Sequence, residues 1–383
     1  MHRHTRFPLL AVVLTTFLVA VSPCAYAAET TPQVTEAQSF EIIDQDGNVL
    51  ASKDPNRRMA MASITKIMTA MVALDSGKSM GDVCSITDVT LPEGAQLAGY
   101  TSTDAPTFGD LMRTMLVYSG NDAALNVAYA VAGTEEAFVE LMNKKAREIG
   151  MEDTHFSNPH GLEEDDHYSC AHDLALMGKY ALENYPFIAR TVMTRRLTVT
   201  VGGQQKTFES TDELMDSYGG LCGIKTGKVE AGTTFLGSSK RHGLQLFSCV
   251  LGCTTDDGRF TDTRILMDWA YDEYFRHVSL TRRAWPLRIV SWQDGFWGKL
   301  VVTSAWDVSA RSYPERDIDY TTTMVGDGEL AAPGSPYGLS SWTQDGRSVA
   351  RAVDVTGTRP HQIPAINIFA LPLFLDVSQL TAA

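Results

Sequence analysis

The chain has 383 residues, of which 46 are Asp or Glu and 32 are Lys or Arg, so its formal net charge is −14 at pH 7. This acidic balance argues against nucleic acid as a partner, because a polyanion is bound through clustered Lys and Arg side chains. The length favours two domains.

The N-terminus has the pattern of a secretory signal peptide. Arg3 and Arg6 precede an apolar run from Phe7 to Val21, and Ala25-Tyr26-Ala27 supplies the small residues of a cleavage site. We therefore predict that residues 1–27 are removed on export and that the protein works in the extracytoplasmic cell envelope. Removal of Cys24 leaves five scattered cysteines, and that odd number favours buried free thiols over a disulfide framework or a zinc site.

Two short β-like runs, residues 39–43 and 48–51, flank an Asp-Gly pair and predict a β-hairpin. The almost wholly apolar stretch 59–74 then predicts a buried helix. Ser63 and Lys66 are one helical turn apart on it, so the lysine amine can reach the serine hydroxyl. Taken alone, this pair leaves two readings open: a reactive pair, or a lysine that extends to the surface beside a serine cap.

The middle of the chain is predicted to be helical. Thr107 begins a helix that stops at Ser119-Gly120, and a second helix runs from Asp122 to Val131. The Ser119-Gly120-Asn121 string is therefore expected on a tight turn between the two helices. A third amphipathic helix follows, from Thr134 to a closing glycine at position 150.

Three neighbouring strands are predicted at residues 223–227, 233–237 and 244–250, the last two as a hairpin. The first of them carries Lys225-Thr226-Gly227. A helix closes this part of the chain near His277, and from residue 285 short β-like stretches separated by Asp-Gly pairs predict a small all-β domain.

The apolar stretch Ile366–Leu375 near the C-terminus has two readings. One is peripheral contact with a membrane, and the other is a terminal strand packed on the β domain. The stretch is too short to span a bilayer, contains Pro372 and lacks basic neighbours, so we favour the strand.

Three strings in this order, Ser-x-x-Lys, Ser-Gly-Asn and Lys-Thr-Gly, supply every group that an active-serine acyl-transfer site needs. Together with their surroundings they resemble the D-alanyl-D-alanine carboxypeptidases, the low-molecular-mass penicillin-binding proteins. The resemblance runs from about Ser39 to His277. It is carried by Ala62–Ala70, Tyr118–Ala123, Phe156–Leu162 with His167–Ala175, and Gly223–Gly227.

This resemblance implies an α+β fold, in which an antiparallel sheet is flanked by helices and a helical subdomain, as in β-lactamases and transpeptidases. Residues 30–280 would form this peptidase domain and residues 285–383 the small β-rich domain. The implied activity is removal of the terminal D-alanine from peptidoglycan stem peptides through a serine acyl-enzyme, with penicillins and other β-lactams as inhibitors. No cofactor or metal is implied.

The resemblance also assigns catalytic roles to four residues. Ser63 would be the nucleophile, and Lys66 is the candidate base, because burial and the nearby Lys225 disfavour its charged form. Ser119 would pass a proton to the departing amine. Asn121 would orient Lys66 and the substrate amide.

The third string would bind the substrate. Lys225 and Thr226 would hold the terminal carboxylate, and their strand, with Gly227, would align the peptide as an added strand. The main-chain N–H groups of Ser63 and Lys228 would form the oxyanion hole. The sequence departs from the family pattern after Gly227: Ala231-Gly232 follows one residue early, so the rim of the cleft is expected to differ.

Two alternatives remain. A serine β-lactamase shares the three strings, but its added glutamate lies in an E-x-x-L-N pattern that Glu163 and Glu164 do not match. A silent cell-wall binding module would not need both Ser63 and Lys66. A metal site built from Asp165, Asp166, His167 and His172 is disfavoured against a solvated loop beside a helix start.

Overall fold

A computed structural model describes residues 31–281, 283, 286–293, 297–314, 316–324 and 335–356 of the chain. The predicted signal peptide and the 366–375 stretch lie outside the described residues. The chain divides into two compact units. Within the described residues, the larger unit holds 31–278 and those of 311–316, and the smaller unit holds those of 279–310 and 317–356.

Helices and strands are interspersed along the chain. The helices are α1 Thr65–Asp75, α2 Phe108–Val117, α3 Asn121–Ala132, α4 Glu135–Ile149, α5 Ala171–Asn184, α6 Pro186–Thr191 and α7 Asp256–Trp269. The strands before α7 are β1 Ser39–Asp44, β2 Val49–Lys53, β3 Arg196–Val201, β4 Gln204–Glu209, β5 Leu221–Val229, β6 Gly232–Arg241 and β7 Leu244–Cys253. After it come β8 Arg276–Thr281, β9 Pro286–Gln293, β10 Trp297–Ser304, β11 Val308–Ser312, β12 Asp319–Met324, β13 Pro336–Gln344 and β14 Arg347–Thr356.

A five-stranded antiparallel sheet forms the centre of the larger unit, in the order β2-β1-β7-β6-β5. Helix α7 packs against β6 and β7, while α5 packs against β1 and β7. Two buried apolar clusters result, one of which joins α1 and the helices around it to the sheet. Strand β5 is left at an edge of the sheet.

Local sequence signals set several helix ends where they were predicted. Thr107 Oγ1 accepts a hydrogen bond from Asp110 N at 3.1 Å, and Thr134 Oγ1 accepts one from Ala137 N at 3.2 Å. Gly150 closes α4 with a φ of 85°. Such caps satisfy N–H groups that have no partner inside the helix, so they fix where a helix begins.

Two details of the predicted elements are wrong. Ser63 lies in a 3-10 turn, Ala62–Ile64, just before α1, and not on the helix itself. The reason is Ala62, whose φ of 52° is incompatible with a continuing α-helix. Asn121 is the first residue of α3 and not part of the preceding turn.

The segment Arg311–Arg316 belongs to the larger unit although it comes late in the chain. Tyr313 is buried there, and its OH donates a hydrogen bond to Asp44 Oδ2 at 2.9 Å. Its ring packs edge-on against Phe275, with 5.0 Å between the ring centroids.

In the smaller unit the described strands form a second antiparallel sheet, in the order β12-β13-β14-β10-β9. Asp345 and Gly346 make the turn between β13 and β14, with φ values of 51° and 78°. The predicted fold class, an α+β unit followed by an all-β region, is confirmed. Among the described helices, none has the length and apolar character needed to cross a membrane.

Candidate active site

The backbone around Ser63 is held between a loop and strand β5. A Cβ atom on Gly161 would lie 2.1 Å from the carbonyl oxygen of Ala62, and one on Gly227 would lie 2.7 Å from the Ala62 Cβ. Both positions therefore need glycine, because any side chain would push the chain at Ala62 away. This close approach brings the Lys-Thr-Gly strand beside Ser63.

Lys66 is fully buried and makes three hydrogen bonds. Its Nζ lies 2.8 Å from Ser63 Oγ, 2.7 Å from Asn121 Oδ1 and 2.5 Å from the main-chain oxygen of His160. A neutral amine has only two N–H groups. When Asn121 and His160 accept those two, the nitrogen lone pair is left facing the Ser63 hydroxyl.

The electrostatic environment favours that neutral form. Burial and the positive charge of Lys225 lower the pKa of Lys66 well below its ordinary value, and Asp122 only partly opposes them. Burial and Arg259 lower the pKa of Lys225 to about 7, while Asp212 opposes that shift. The charge of Lys225 thus contributes to the lowered pKa of Lys66, in the direction that the sequence predicted.

The turn between α2 and α3 supplies Ser119, and the first residue of α3 supplies Asn121; both side chains are buried. Ser119 has a φ of 69°, which a non-glycine residue adopts only when its surroundings impose it. The surroundings here are bonds to the segment 96–100: Asn121 N donates to Gln96 O at 2.8 Å. The buried carboxylate of Asp122 holds the same segment, because it accepts hydrogen bonds from the N–H groups of residues 98, 99 and 100.

The loop 157–167 contributes a group that sequence reasoning missed, the His160 carbonyl. Asn158 Oδ1 shapes the loop by accepting hydrogen bonds from His160 N at 3.3 Å and Gly161 N at 2.6 Å. Thr69 Oγ1 on α1 donates a hydrogen bond to Pro159 O at 2.6 Å, which ties the loop to that helix. The Asn-Pro-His-Gly string was visible in the sequence, but a main-chain acceptor leaves no signal of its own.

His167 fixes the other side of this loop. Ser157 N donates to His167 Nδ1 at 3.0 Å, so the ring proton is on Nε2, which donates to Thr65 Oγ1 at 2.8 Å. Thr65 in turn donates to Ala62 O at 2.8 Å. Burial lowers the pKa of His167 to about 4 and keeps the ring neutral. His167 is therefore a buried group whose two ring nitrogens both hold neighbouring segments in place.

The Lys-Thr-Gly strand presents two buried polar side chains beside Ser63. Lys225 Nζ donates to Thr226 O at 3.0 Å, and the hydroxyls of Thr226 and Thr211 lie 2.5 Å apart. Arg259 on α7, also missed from the sequence, donates from Nη1 to Gly227 O at 2.8 Å. Its buried Nε has no hydrogen-bond partner in the described part of the protein. This end of the site therefore holds two basic side chains, Lys225 and Arg259, and the hydroxyl of Thr226.

The shortened segment after Gly227 is a tight turn between β5 and β6. The exposed Lys228 side chain pairs with Asp256 at 2.6 Å, so only its main chain could serve the site. Glu163 accepts hydrogen bonds from Glu230 N and Ala231 N, both at 3.2 Å. Glu163 is engaged with this turn, and Glu164 accepts from Asn158 Nδ2 at 2.9 Å.

His172 and Cys170 also make contacts that serve the fold. His172 Nδ1 lies 2.8 Å from Glu41 Oε1, and Cys170 caps α5 by accepting from Asp173 N at 3.4 Å. Over the described ranges, no cluster of three or more His, Cys, Asp or Glu side chains could hold a metal ion. All five described cysteines are free, and four of them are buried.

Comparisons with known proteins agree with this geometry. A family model described as D-alanyl-D-alanine carboxypeptidase matches residues 26–255. D-alanyl-D-alanine carboxypeptidase DacF of Bacillus subtilis is 34% identical over 280 residues, which cover 70% of this chain and 71% of that protein.

Two solved structures show the same fold. Penicillin binding protein 5 from Haemophilus influenzae has a TM-score of 0.61 at 25% identity, and the match covers 86% of this chain and 98% of that one. Penicillin-Binding Protein D2 from Listeria monocytogenes, in the cefotaxime-bound form, has a TM-score of 0.58 at 28% identity, covering 63% of this chain and 100% of that one.

Proposed function

Since the chain belongs to the D-alanyl-D-alanine carboxypeptidase family, we propose that it is an exported serine enzyme that removes the terminal D-alanine from peptidoglycan stem peptides. The observation that carries this proposal is the buried Lys66 amine 2.8 Å from the Ser63 hydroxyl. A buried lysine of lowered pKa next to a serine is the arrangement that an acyl-transfer nucleophile requires.

Acylation follows from the hydrogen bonds of Lys66. Ser63 Oγ attacks the carbonyl carbon between the two D-alanines while its proton moves to Lys66 Nζ. The carbon–nitrogen bond then breaks, and the departing amine takes up a proton from Lys66 by way of Ser119. A water molecule then attacks the resulting ester and gives a proton to Lys66, which passes it to Ser63 Oγ as the ester bond breaks. The shortened peptide leaves, and the Ser63 hydroxyl is restored. The main-chain N–H groups of Ser63 and Lys228 stabilise the oxyanion in both steps.

Recognition of the terminal carboxylate uses the other end of the site. Lys225 supplies a charge and Thr226 a hydroxyl, and we add Arg259, whose buried Nε has no partner. A charged donor buried without a partner is costly, so a ligand carboxylate is a fitting acceptor. The free edge of β5 can hold the peptide backbone as an added strand.

Penicillins are proposed as inhibitors because their strained amide and carboxylate match the two ends of this site. The cefotaxime-bound relative supports that part of the proposal. Export rests on the pattern of residues 1–27 and is tested by cell fractionation: Arg3→Glu with Arg6→Glu should retain the unprocessed protein inside the cell.

The central experiment incubates the purified mature protein with a fluorescent penicillin and, separately, with a peptide that ends in D-Ala-D-Ala. Long-lived labelling that is lost in Ser63→Ala, together with released D-alanine, supports the proposal. Rapid turnover of penicillin without peptide cleavage would identify a β-lactamase instead. Absence of both reactions in well-folded protein would identify a binding module.

A further inference from the structure

A second buried carboxylate, Asp212, lies close to the substrate-binding strand. It is 3% exposed and precedes a 3-10 turn, Glu213–Asp216, where its Oδ1 accepts a hydrogen bond from Leu214 N at 2.9 Å. Its Oδ2 is buried and has no hydrogen-bond partner in the described residues. A cap of this kind does not need a charge, because Asn or Ser can accept the same bond. Burial of a full negative charge therefore calls for another explanation.

The positive charges of three side chains, each from a different part of the chain, act on Asp212. They are Lys225 on β5, Arg259 on α7, and Arg195 just before β3. Burial raises the pKa of Asp212 to about 6, and the three cations oppose that rise. The hydrogen bond from Leu214 N also lowers this pKa and ranks ahead of the cations, so the carboxylate is mostly ionised at neutral pH.

Asp212 in turn raises the pKa of Lys225. Burial and the neighbouring Arg259 lower the Lys225 pKa to about 7, and Asp212 is the carboxylate that opposes this loss of charge. Arg259 itself also faces Asp256 and Glu213. Without a negative partner, Lys225 would be mostly neutral at the pH where it has to bind an anion.

The residue before Asp212 contacts the same subsite. The Thr211 hydroxyl lies 2.5 Å from that of Thr226. The Thr211-Asp212 segment therefore supports both polar side chains of the Lys-Thr pair, one through a hydrogen bond and the other through charge.

We propose that Asp212 is a positioning residue for substrate binding, whose carboxylate holds the Lys225 side chain in its ammonium form and so sets the alkaline limit of carboxylate recognition. The inference rests on the proposed function, because it takes the terminal carboxylate of the peptide as the ligand of Lys225. Asp212 does not touch the substrate in this scheme.

The discriminating variant is Asp212→Asn, which keeps the hydrogen bond to Leu214 and removes the charge. Loss of this opposing charge should lower the Lys225 pKa further, by about one pH unit, which is the lower end of the effect of a close opposite charge. The KM for a D-Ala-D-Ala peptide, relative to wild type, should rise from near unity at pH 5.5 to about tenfold at pH 8. We expect kcat to change much less. A purely structural Asp212 would leave this pH dependence unchanged.

The matched control is Asp216→Asn, which removes an exposed carboxylate four residues later, paired with Arg195 at 2.9 Å. Solvent screens that pair, so the KM ratio should stay flat with pH. Asp212→Ser, a second neutral cap, should reproduce the Asp212→Asn profile and covers the case in which Asn impairs folding.

A direct readout does not depend on activity. In protein with 13C-labelled lysine, the Lys225 side-chain signal, identified by its loss in Lys225→Arg, should titrate at lower pH in Asp212→Asn than in wild type. Equal titration midpoints would overturn the inference. Failure of wild-type protein to release D-alanine would instead refute the proposed function, and the titration result would still stand.

Discussion

At the scale of single residues, the chemistry depends on one lysine that the fold keeps away from water. Lys66 Nζ has three hydrogen-bond partners within 2.8 Å, yet burial and the positive charge of Lys225 favour its neutral form. In the proposed mechanism Lys66 is the base, and its lone pair keeps one direction because Asn121 and His160 accept its two N–H groups.

We predict that acylation by penicillin slows as the pH falls. The pKa of Lys66 is lowered in the folded protein, so the reactive neutral form is present above that pKa and is lost on acidification through it. Lys66→Ala should reduce the acylation rate about 10²- to 10⁴-fold and abolish the acid limb, as measured by stopped-flow labelling. Lys179→Ala, a surface change, is the control. A Lys66→Ala protein with an unchanged profile would contradict the assignment of the base.

A glycine substitution tests how closely the loop approaches Ser63. Gly161→Ala would place a Cβ 2.1 Å from Ala62 O at a φ of 90°, so we expect penicillin labelling to fall at least tenfold and the protein to be destabilised. Gly77→Ala, with a φ of 72° and no heavy atom within 4 Å of the added Cβ, is the control and should cost only about 1 kcal/mol. Equal labelling by the two variants would contradict the close-approach argument.

The sequence predicted the motif residues of the site but not their supporting groups. Ser63, Lys66 and Asn121 are in contact as expected, because their strings carry distinctive side chains. The His160 carbonyl leaves no such mark, and Arg259 lies 32 residues beyond Gly227, on another element. Only the fold makes those two part of the site.

At the scale of elements, one carboxylate on α7 fixes the segment that precedes β1. Asp262 is fully buried and accepts hydrogen bonds from Thr35 N, Thr35 Oγ1, Glu36 N and Ala37 N, all within 2.8 Å. These bonds tie the chain before β1 to the helix that covers the same sheet.

We predict that Asp262→Ala lowers the free energy of unfolding by at least about 3 kcal/mol, since it leaves buried N–H groups without a partner. Urea denaturation measures the loss. Asp257→Ala, an exposed change in the first turn of α7, should cost well under about 1 kcal/mol. Similar midpoints for both variants would show that the segment before β1 adds little to stability.

Helix ends could be predicted from sequence because Thr107 and Thr134 act within three residues of themselves. Strand order could not, because β1 pairs with β7 across about 200 residues. The kink at Ala62 was also hidden. Its φ of 52° depends on tertiary contacts, and an alanine in the sequence does not indicate such a backbone conformation.

At the scale of the whole molecule, the cysteines report on folding. The five described thiols are free, and burial raises the pKa of Cys170 and Cys253 to about 12. Because the thiolate is the reactive form, we predict that a thiol reagent labels at most the half-buried Cys222 in native mature protein and five thiols after denaturation without reductant. Cys222→Ser should abolish native labelling, and fewer than five thiols in denaturant would reveal a disulfide.

The return of Arg311–Arg316 to the larger unit bears on the order in which the protein can mature. A polypeptide emerges from the ribosome or a secretion channel with its N-terminus first, so Asp44 must wait for Tyr313 across 269 positions. The peptidase core therefore stays incomplete until a distant stretch of the chain has been delivered. The larger unit can therefore complete its fold only after residues 311–316 have been synthesised.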